Sequence, residues 1–289
     1  MRKFGFLMAL LAVIFGTGGA LLRAQEIETV FDPISGLAVR GAPISFALMG
    51  LSVLTMGALF ALSFGVRQMR AGSFSDAFGR NVFVRVLLIL AGLAASGFSA
   101  LELLGLSELG ALQAARVLVA IAAGIVGLVL MAVLGAQGNR AAIPAVVPVF
   151  WLCLWLVAAH VGEQAANPVL LSYVYQLFAL AALLLSFYYI AGYAFLQERP
   201  GRLMFSSSAA VYFTLVTLPD SSWSMPEQVV LLALAATVLV YQLALSGRPA
   251  NAFTDQPPQR KSWADAPDTG EEPYRDEGVW HPGQEHSDA

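Results

Sequence analysis

The sequence predicts an all-α fold: a polytopic membrane helix bundle of about eight transmembrane helices, with both termini cytoplasmic. Three observations predict it. Eight long apolar runs fill residues 4–246, with the charges almost entirely between them. The 289 residues are 58% hydrophobic and only 12% charged, with mean hydropathy +0.70. A soluble domain carries about 25% charged residues, so this chain has too little polar surface to cover a soluble globule. Finally, the basic residues segregate strongly to one side of the runs, as membrane insertion requires. The runs are continuous rather than alternating. That favours helices, which satisfy their own backbone hydrogen bonds in lipid, over a barrel.

Taken in order, the spans are 4–22, 44–66, 82–103, 114–135, 142–161, 169–195, 203–219 and 227–246. Each is close to the roughly 17–25 residues needed to cross about 30 Å of hydrocarbon as helix. The first follows Met1-Arg2-Lys3, which also suits a secretory signal peptide. It is long for such a segment, however, and a cut after Ala24 would place Leu22 where a small residue is needed. It is therefore read as a retained span, followed by a long outer loop over 23–43. The third run keeps Arg85 and Glu102 near its two ends. Pro144 and Pro148 lie in the first turns of the fifth, where Pro148 bends the entry. Asn167-Pro168 opens the sixth as cap and first-turn proline. Ser224-Met225-Pro226-Glu227 opens the eighth with a capping-box pattern. Trp223 and Tyr241 suit the two membrane interfaces.

With the N-terminus inside, the inner face holds Arg2, Lys3, Arg67, Arg70, Arg80, Arg85, Arg140, Arg199 and Arg202, and the tail adds Arg248, Arg260, Lys261 and Arg275. The outer face holds only Arg23, Arg40 and Arg116. The acids lean the other way: Glu26, Glu28, Asp32, Glu102, Glu108, Glu163, Asp220 and Glu227 fall outside, against Asp76 and Glu198 inside. The membrane domain, 1–246, thus has an inner face of net +7 and an outer face of net -5. The expected partners are the bilayer itself and anionic lipids at the cytoplasmic face; nothing points to nucleic acid. From Gly247 the pattern collapses. Residues 247–289 carry nine acids and six prolines, net -5, and read as a disordered acidic cytoplasmic tail. Trp263, Tyr274 and Trp280 there are either anchors for a protein partner or isolated aromatics in solvent.

No ionisable residue sits at mid-depth in a span, which argues against a buried carboxylate relay. Lys3 and Lys261 are the only lysines and Cys153 the only cysteine. That removes a retinal Schiff base, an intramolecular disulfide and a cysteine metal cage. His160 is the only histidine outside the tail, which disfavours bis-histidine haem; no cofactor is expected. His160 and Glu163, at i, i+3, could join Glu102, Asp220 and Glu227 in an outer cation site, but one imidazole is a poor metal signature. Small-residue pairs in the fourth run (Ala120 with Gly124, Ala123 with Gly127) and Gly50, Gly57 and Gly65 in the second read as helix-packing positions.

The sixth run carries a polar stripe at helical spacing: Ser172, Tyr175, Gln176, Ser186, Tyr189 and Tyr193, with Ala179 and Ala182 leaving room between them. The seventh adds Ser208 and Tyr212, neighbours at i, i+4, with Ser206, Ser207, Thr214 and Thr217. These residues could line a polar cavity for a small solute, or could be ordinary packing between membrane helices.

Phe150-Trp151-Leu152-Cys153-Leu154-Trp155, Asn167-Pro168, the Tyr188-Tyr189-Ile190-Ala191-Gly192 run and Arg199-Pro200 give residues 150–218 a resemblance to a family of uncharacterised bacterial polytopic integral membrane proteins. The resemblance implies a bacterial inner-membrane protein and brings no activity with it. The expected function is transporter-like, binding or moving a small solute between helices six and seven. The alternative is a sensor or scaffold subunit that recruits a partner through its tail. An enzyme acting on lipid would need an acid or metal constellation that the sequence does not display.

Overall fold

The computed structural model describes residues 2–31, 41–66, 78, 82–104, 113–132, 146–161, 174–195, 199–220 and 224–247. Within them the chain forms eight α-helices and no β-strand: α1 (Arg2–Val30), α2 (Pro43–Val66), α3 (Val82–Leu104), α4 (Gln113–Ala132), α5 (Val146–Val161), α6 (Val174–Gly192), α7 (Pro200–Thr217) and α8 (Met225–Ser246). Five of them, α1, α2, α3, α6 and α8, are long and apolar enough to cross a membrane. Ser172, Asn167-Pro168, Pro144, Glu163, Trp223 and residues 248–289 lie outside the described residues.

The helix pairings place α7 at the centre of one group, packed against α1, α2, α6 and α8. A second group runs α8–α3–α4–α5–α6 in side-by-side contact, so α6 and α8 belong to both. One apolar core spans the two groups, from Met8 and Leu59 through Phe98, Trp151 and Trp155 to Leu183, Leu203 and Val238. Trp155 stacks on Phe98 at 5.7 Å, and the Trp151 indole N–H donates to the Val119 carbonyl at 3.1 Å, tying α5 to α4. On the outside, Phe46, Met49, Val53, Phe83, Leu90, Ile121, Leu128 and Phe150 are exposed. Such a belt of large apolar side chains is what a hydrocarbon solvent accepts and water does not.

Helix α7 inverts the usual relation of polarity to burial. It carries Ser206, Ser207, Ser208, Tyr212, Thr214 and Thr217, all of them buried. A helix surrounded by other helices can carry hydroxyls where they bond a backbone carbonyl or a neighbouring side chain, as Ser206, Ser208, Tyr212 and Thr217 do, while Ser207 Oγ and Thr214 Oγ1 are buried with no hydrogen bond among the described residues. Ser206 donates to Leu203 O at 3.1 Å and Thr217 to Thr214 O at 2.9 Å. Small residues let α1 approach it closely. A Cβ on Gly16 would lie 2.8 Å from a Leu215 methyl, and one on Gly19 would lie 2.7 Å from a Val216 methyl.

The helix ends bear out part of the sequence reading and correct part of it. Pro200 occupies the first turn of α7. The Ser224 backbone N–H donates to Glu227 Oε2 at 2.7 Å and caps α8. Helix α6 tightens into a 3₁₀ turn over Tyr193–Phe195. The first helix does not stop at 22: it continues to Val30, so Arg23 and Glu26 ride on a helix instead of an outer loop. Hydropathy falls at Arg23, but Arg23-Ala24-Gln25-Glu26 are all compatible with helix, and Arg23 and Glu26 pair at i, i+3. Tyr241, near the end of α8, faces other helices. It is buried, with its ring edge-on to Phe78 at 4.8 Å. Gly50 and Gly57 face open space instead of a neighbouring helix, while Gly124 and Gly127 do pack closely, against Ser99 and against Gly92 and Ser96 of α3.

Candidate functional site: a buried ion-paired cluster

The polar residues of the bundle gather in two knots, one midway along α7 and one at its C-terminal end. At the middle, the Ser208 hydroxyl lies 3.1 Å from Gln242 Oε1 of α8, and the Gln242 amide donates to the Gly5 carbonyl of α1 at 3.0 Å. This knot uses its donors and acceptors to hold three helices in register. It also places the start of α1 and the end of α8 at the same end of the bundle.

The second knot lies at the C-terminal end of α7 and contains charge. After α7, the Asp220 N–H bonds Thr217 O at 3.0 Å in a tight turn. The Asp220 side chain meets Arg23, whose Nε donates to Asp220 Oδ1 at 2.8 Å. Arg23 Nη1 donates to Glu26 Oε2 at 2.6 Å, and the Ser45 hydroxyl at the start of α2 donates to Glu26 Oε1 at 2.5 Å. The three charged residues are 2%, 6% and 3% exposed for Arg23, Glu26 and Asp220. Charges this deeply buried are costly unless paired and hydrogen-bonded. The guanidinium is flanked by two aromatic rings, Phe31 at 5.5 Å and Tyr175 at 5.6 Å. Gln176 sits beside Asp220 and helps hold its carboxylate. Below them, Ser52 Oγ of α2 and the Tyr212 hydroxyl are 2.8 Å apart, with the Tyr175 hydroxyl also within reach of Ser52.

Burial pushes the Asp220 carboxyl above its ordinary value, and the adjacent Arg23 opposes that shift. One oxygen, Asp220 Oδ2, is buried with no hydrogen bond within 3.5 Å among the described residues. Buried polar atoms are paired in the great majority of cases, so this acceptor is the unusual atom of the cluster.

The predicted stripe divides between these places. Tyr175 and Gln176 come together at Arg23 and Asp220, and Tyr212 adjoins them through Ser52 and Tyr175. Ser208 faces α8. Ser186 is buried and donates to the Ala182 carbonyl of its own helix at 2.7 Å. Tyr189 is half-buried against Tyr188, and Tyr193 packs edge-on to Phe78 at 5.3 Å. Ser172 lies outside the described residues. Of the suggested outer cation set, Asp220 is engaged by Arg23, Glu227 caps α8, and His160 is exposed.

Arg23 and Glu26 were not legible as site residues, because both lie past the point where hydropathy ends the first run. The signal that could have found them is a basic and an acidic residue at i, i+3 directly continuing an apolar helix. No protein-family model, no curated protein and no solved structure matches the chain.

Proposed function

We propose that the chain is an integral protein of a bacterial cytoplasmic membrane that binds and moves a small solute. Its site is the cluster where Tyr175 and Gln176 meet Arg23, Glu26 and Asp220, with Tyr212 adjoining through Ser52, at the outer end of the helices. The observation that carries this reading is the buried Asp220 carboxylate, with one oxygen lacking a hydrogen bond among the described residues, set beside a buried guanidinium. Ionisable groups kept inside a membrane protein at such cost usually serve function. Helix α1 rises about 1.5 Å per residue, so Arg23 lies roughly 30 Å along it from Arg2, near the far edge of the hydrocarbon. A solute would meet the cluster on leaving water.

The test is a thermal-unfolding screen of the purified protein against small polyols, amides, organic anions and amines, followed by flux in liposomes. A solute of the site stabilises the wild type, and that stabilisation falls in Gln176→Leu and Tyr175→Phe. Identical stabilisation of all three proteins would make the cluster a packing device.

A second reading, a scaffold or sensor subunit, is favoured by the tail. Residues 247–289 carry net -5 with no catalytic motif of their own. Co-purification with and without the tail tests it: loss of partners on truncation supports recruitment, and an unchanged set opposes it.

A further inference from the structure

Among the described residues, the charged cluster does not balance. Arg23 supplies one positive charge; Glu26 and Asp220 supply two negative ones. Arg23 and Glu26 are the charged groups that act most strongly on Asp220. When both carboxylates are ionised the cluster holds a surplus charge of one, in a place where water does not screen it. In such surroundings the interaction of charges a few ångströms apart is several-fold stronger than in water. An uncompensated charge is among the most costly things a protein interior can hold. The surplus coincides with a missing hydrogen bond. Asp220 Oδ2 is an acceptor with no donor within 3.5 Å among the described residues, on a side chain 3% exposed.

We propose that the cluster is the binding site for a small protonated amine, whose ammonium N–H donates to Asp220 Oδ2 and whose charge brings the site to neutrality. This rests on the solute-binding reading above and names its substrate class. Three features of the cluster select this chemistry. The deficit is a single charge, which a monovalent cation satisfies. The open group is a hydrogen-bond acceptor, which an ammonium fills and a quaternary ammonium cannot. The neighbouring faces are aromatic, at Tyr175 and Phe31, and aromatic faces attract organic cations. A divalent metal ion fits less well. Calcium and magnesium take six or more oxygen ligands, and Glu26 has both of its oxygens engaged, by Arg23 and by Ser45. Arg23 then has a positioning role: it fixes the carboxylate plane through Oδ1 and leaves Oδ2 to the ligand.

The experiment uses the full chain in detergent, unfolded thermally in the presence of methylammonium chloride, choline chloride or acetamide. Ionic strength is matched throughout. Methylammonium has charge and N–H donors, choline has charge alone, and acetamide has donors alone. The expected result is a saturating rise in Tm with methylammonium only. It is lost in Asp220→Asn and weakened in Glu26→Gln, since each substitution removes the surplus charge. The second variant keeps the Asp220–Arg23 bond and covers the case in which the first fails to fold. Equal shifts with methylammonium and choline would overturn the proposal, as would a methylammonium shift that both variants retain in full. A shift with acetamide alone, dependent on Tyr175 and Gln176, would overturn the amine class while leaving solute binding intact. No shift with any probe, together with a negative wider screen, would remove both readings.

Discussion

At the residue scale the energetics concentrate on Arg23. Its guanidinium is the one cation that the ion pairs of Glu26 and Asp220 share. Removing it leaves two carboxylates buried together. Breaking a buried pair from one side costs about 3–5 kcal/mol, so Arg23→Met is expected to lower the unfolding free energy by roughly that amount. Arg23→Lys, which keeps the charge but not the fork of donors, is expected to lose less. Thermal unfolding in detergent checks both. The Asp220 carboxyl also makes stability depend on pH. Burial raises its value in the folded protein, so the folded state holds this proton more tightly than the unfolded chain does. Stability from this group is therefore greatest below the ordinary carboxylate value. It declines as pH rises from there through the raised folded value. The expected outcome is that the wild type loses stability relative to Asp220→Asn across that window, with a constant difference above it. A flat difference at every pH would show that burial does not shift this group.

At the element scale, glycine acts through what faces it. Helices α3 and α4 touch where Gly92 and Gly127 meet: a Cβ on residue 127 would lie 2.6 Å from the Gly92 carbonyl, and one on residue 92 would lie 2.8 Å from the Gly127 carbonyl. Backbone cannot step aside as a flexible side chain can. Gly127→Ala is expected to destabilise by about 1–3 kcal/mol, as overpacking generally does. Gly57→Ala meets nothing within 4 Å and is expected to be neutral or mildly stabilising, since alanine favours helix over glycine by roughly 0.5–1 kcal/mol. Paired thermal unfolding of the two variants measures the contrast. The same contrast explains what was legible in the sequence. Small residues recur in both α2 and α4, and composition alone assigns them one role. Only the neighbour across the gap separates Gly127 from Gly57. Likewise, hydropathy locates the part of a helix that meets lipid but is silent where helix continues against protein. That is why α1 passes Arg23 and runs to Val30. The capping box at Ser224 and Glu227 was legible because it is a local arrangement of four residues. The pairing of Arg23 with Asp220 spans 197 positions and leaves no local trace.

At the scale of the whole molecule, two groups of helices share α6 and α8, and the most polar surface is turned inward onto α7. This arrangement explains why the helical class was legible throughout while α7 falls short of the apolarity of a spanning segment: its solvent is other helices. The same geometry bears on threading. The Gln242 amide bonds the Gly5 carbonyl, bringing the start of α1 and the end of α8 to one end of the bundle, while Arg23 and Asp220 meet at the other. Combined with the excess of Lys and Arg, this supports an even number of crossings with the α1 start and the α8 end on the cytoplasmic side. Cysteine labelling can decide the matter, because Cys153 is the only native thiol. In a Cys153→Ser background, Ser224→Cys, beside the charged cluster, is expected to react with a membrane-impermeant maleimide added outside intact cells. Ser262→Cys in the tail is expected to react only after the membrane is opened. Labelling of both from outside would require an even number of crossings between them, so that α8 would not cross the membrane. The reverse pattern would invert the bundle, and the amine site would then face the cytoplasm.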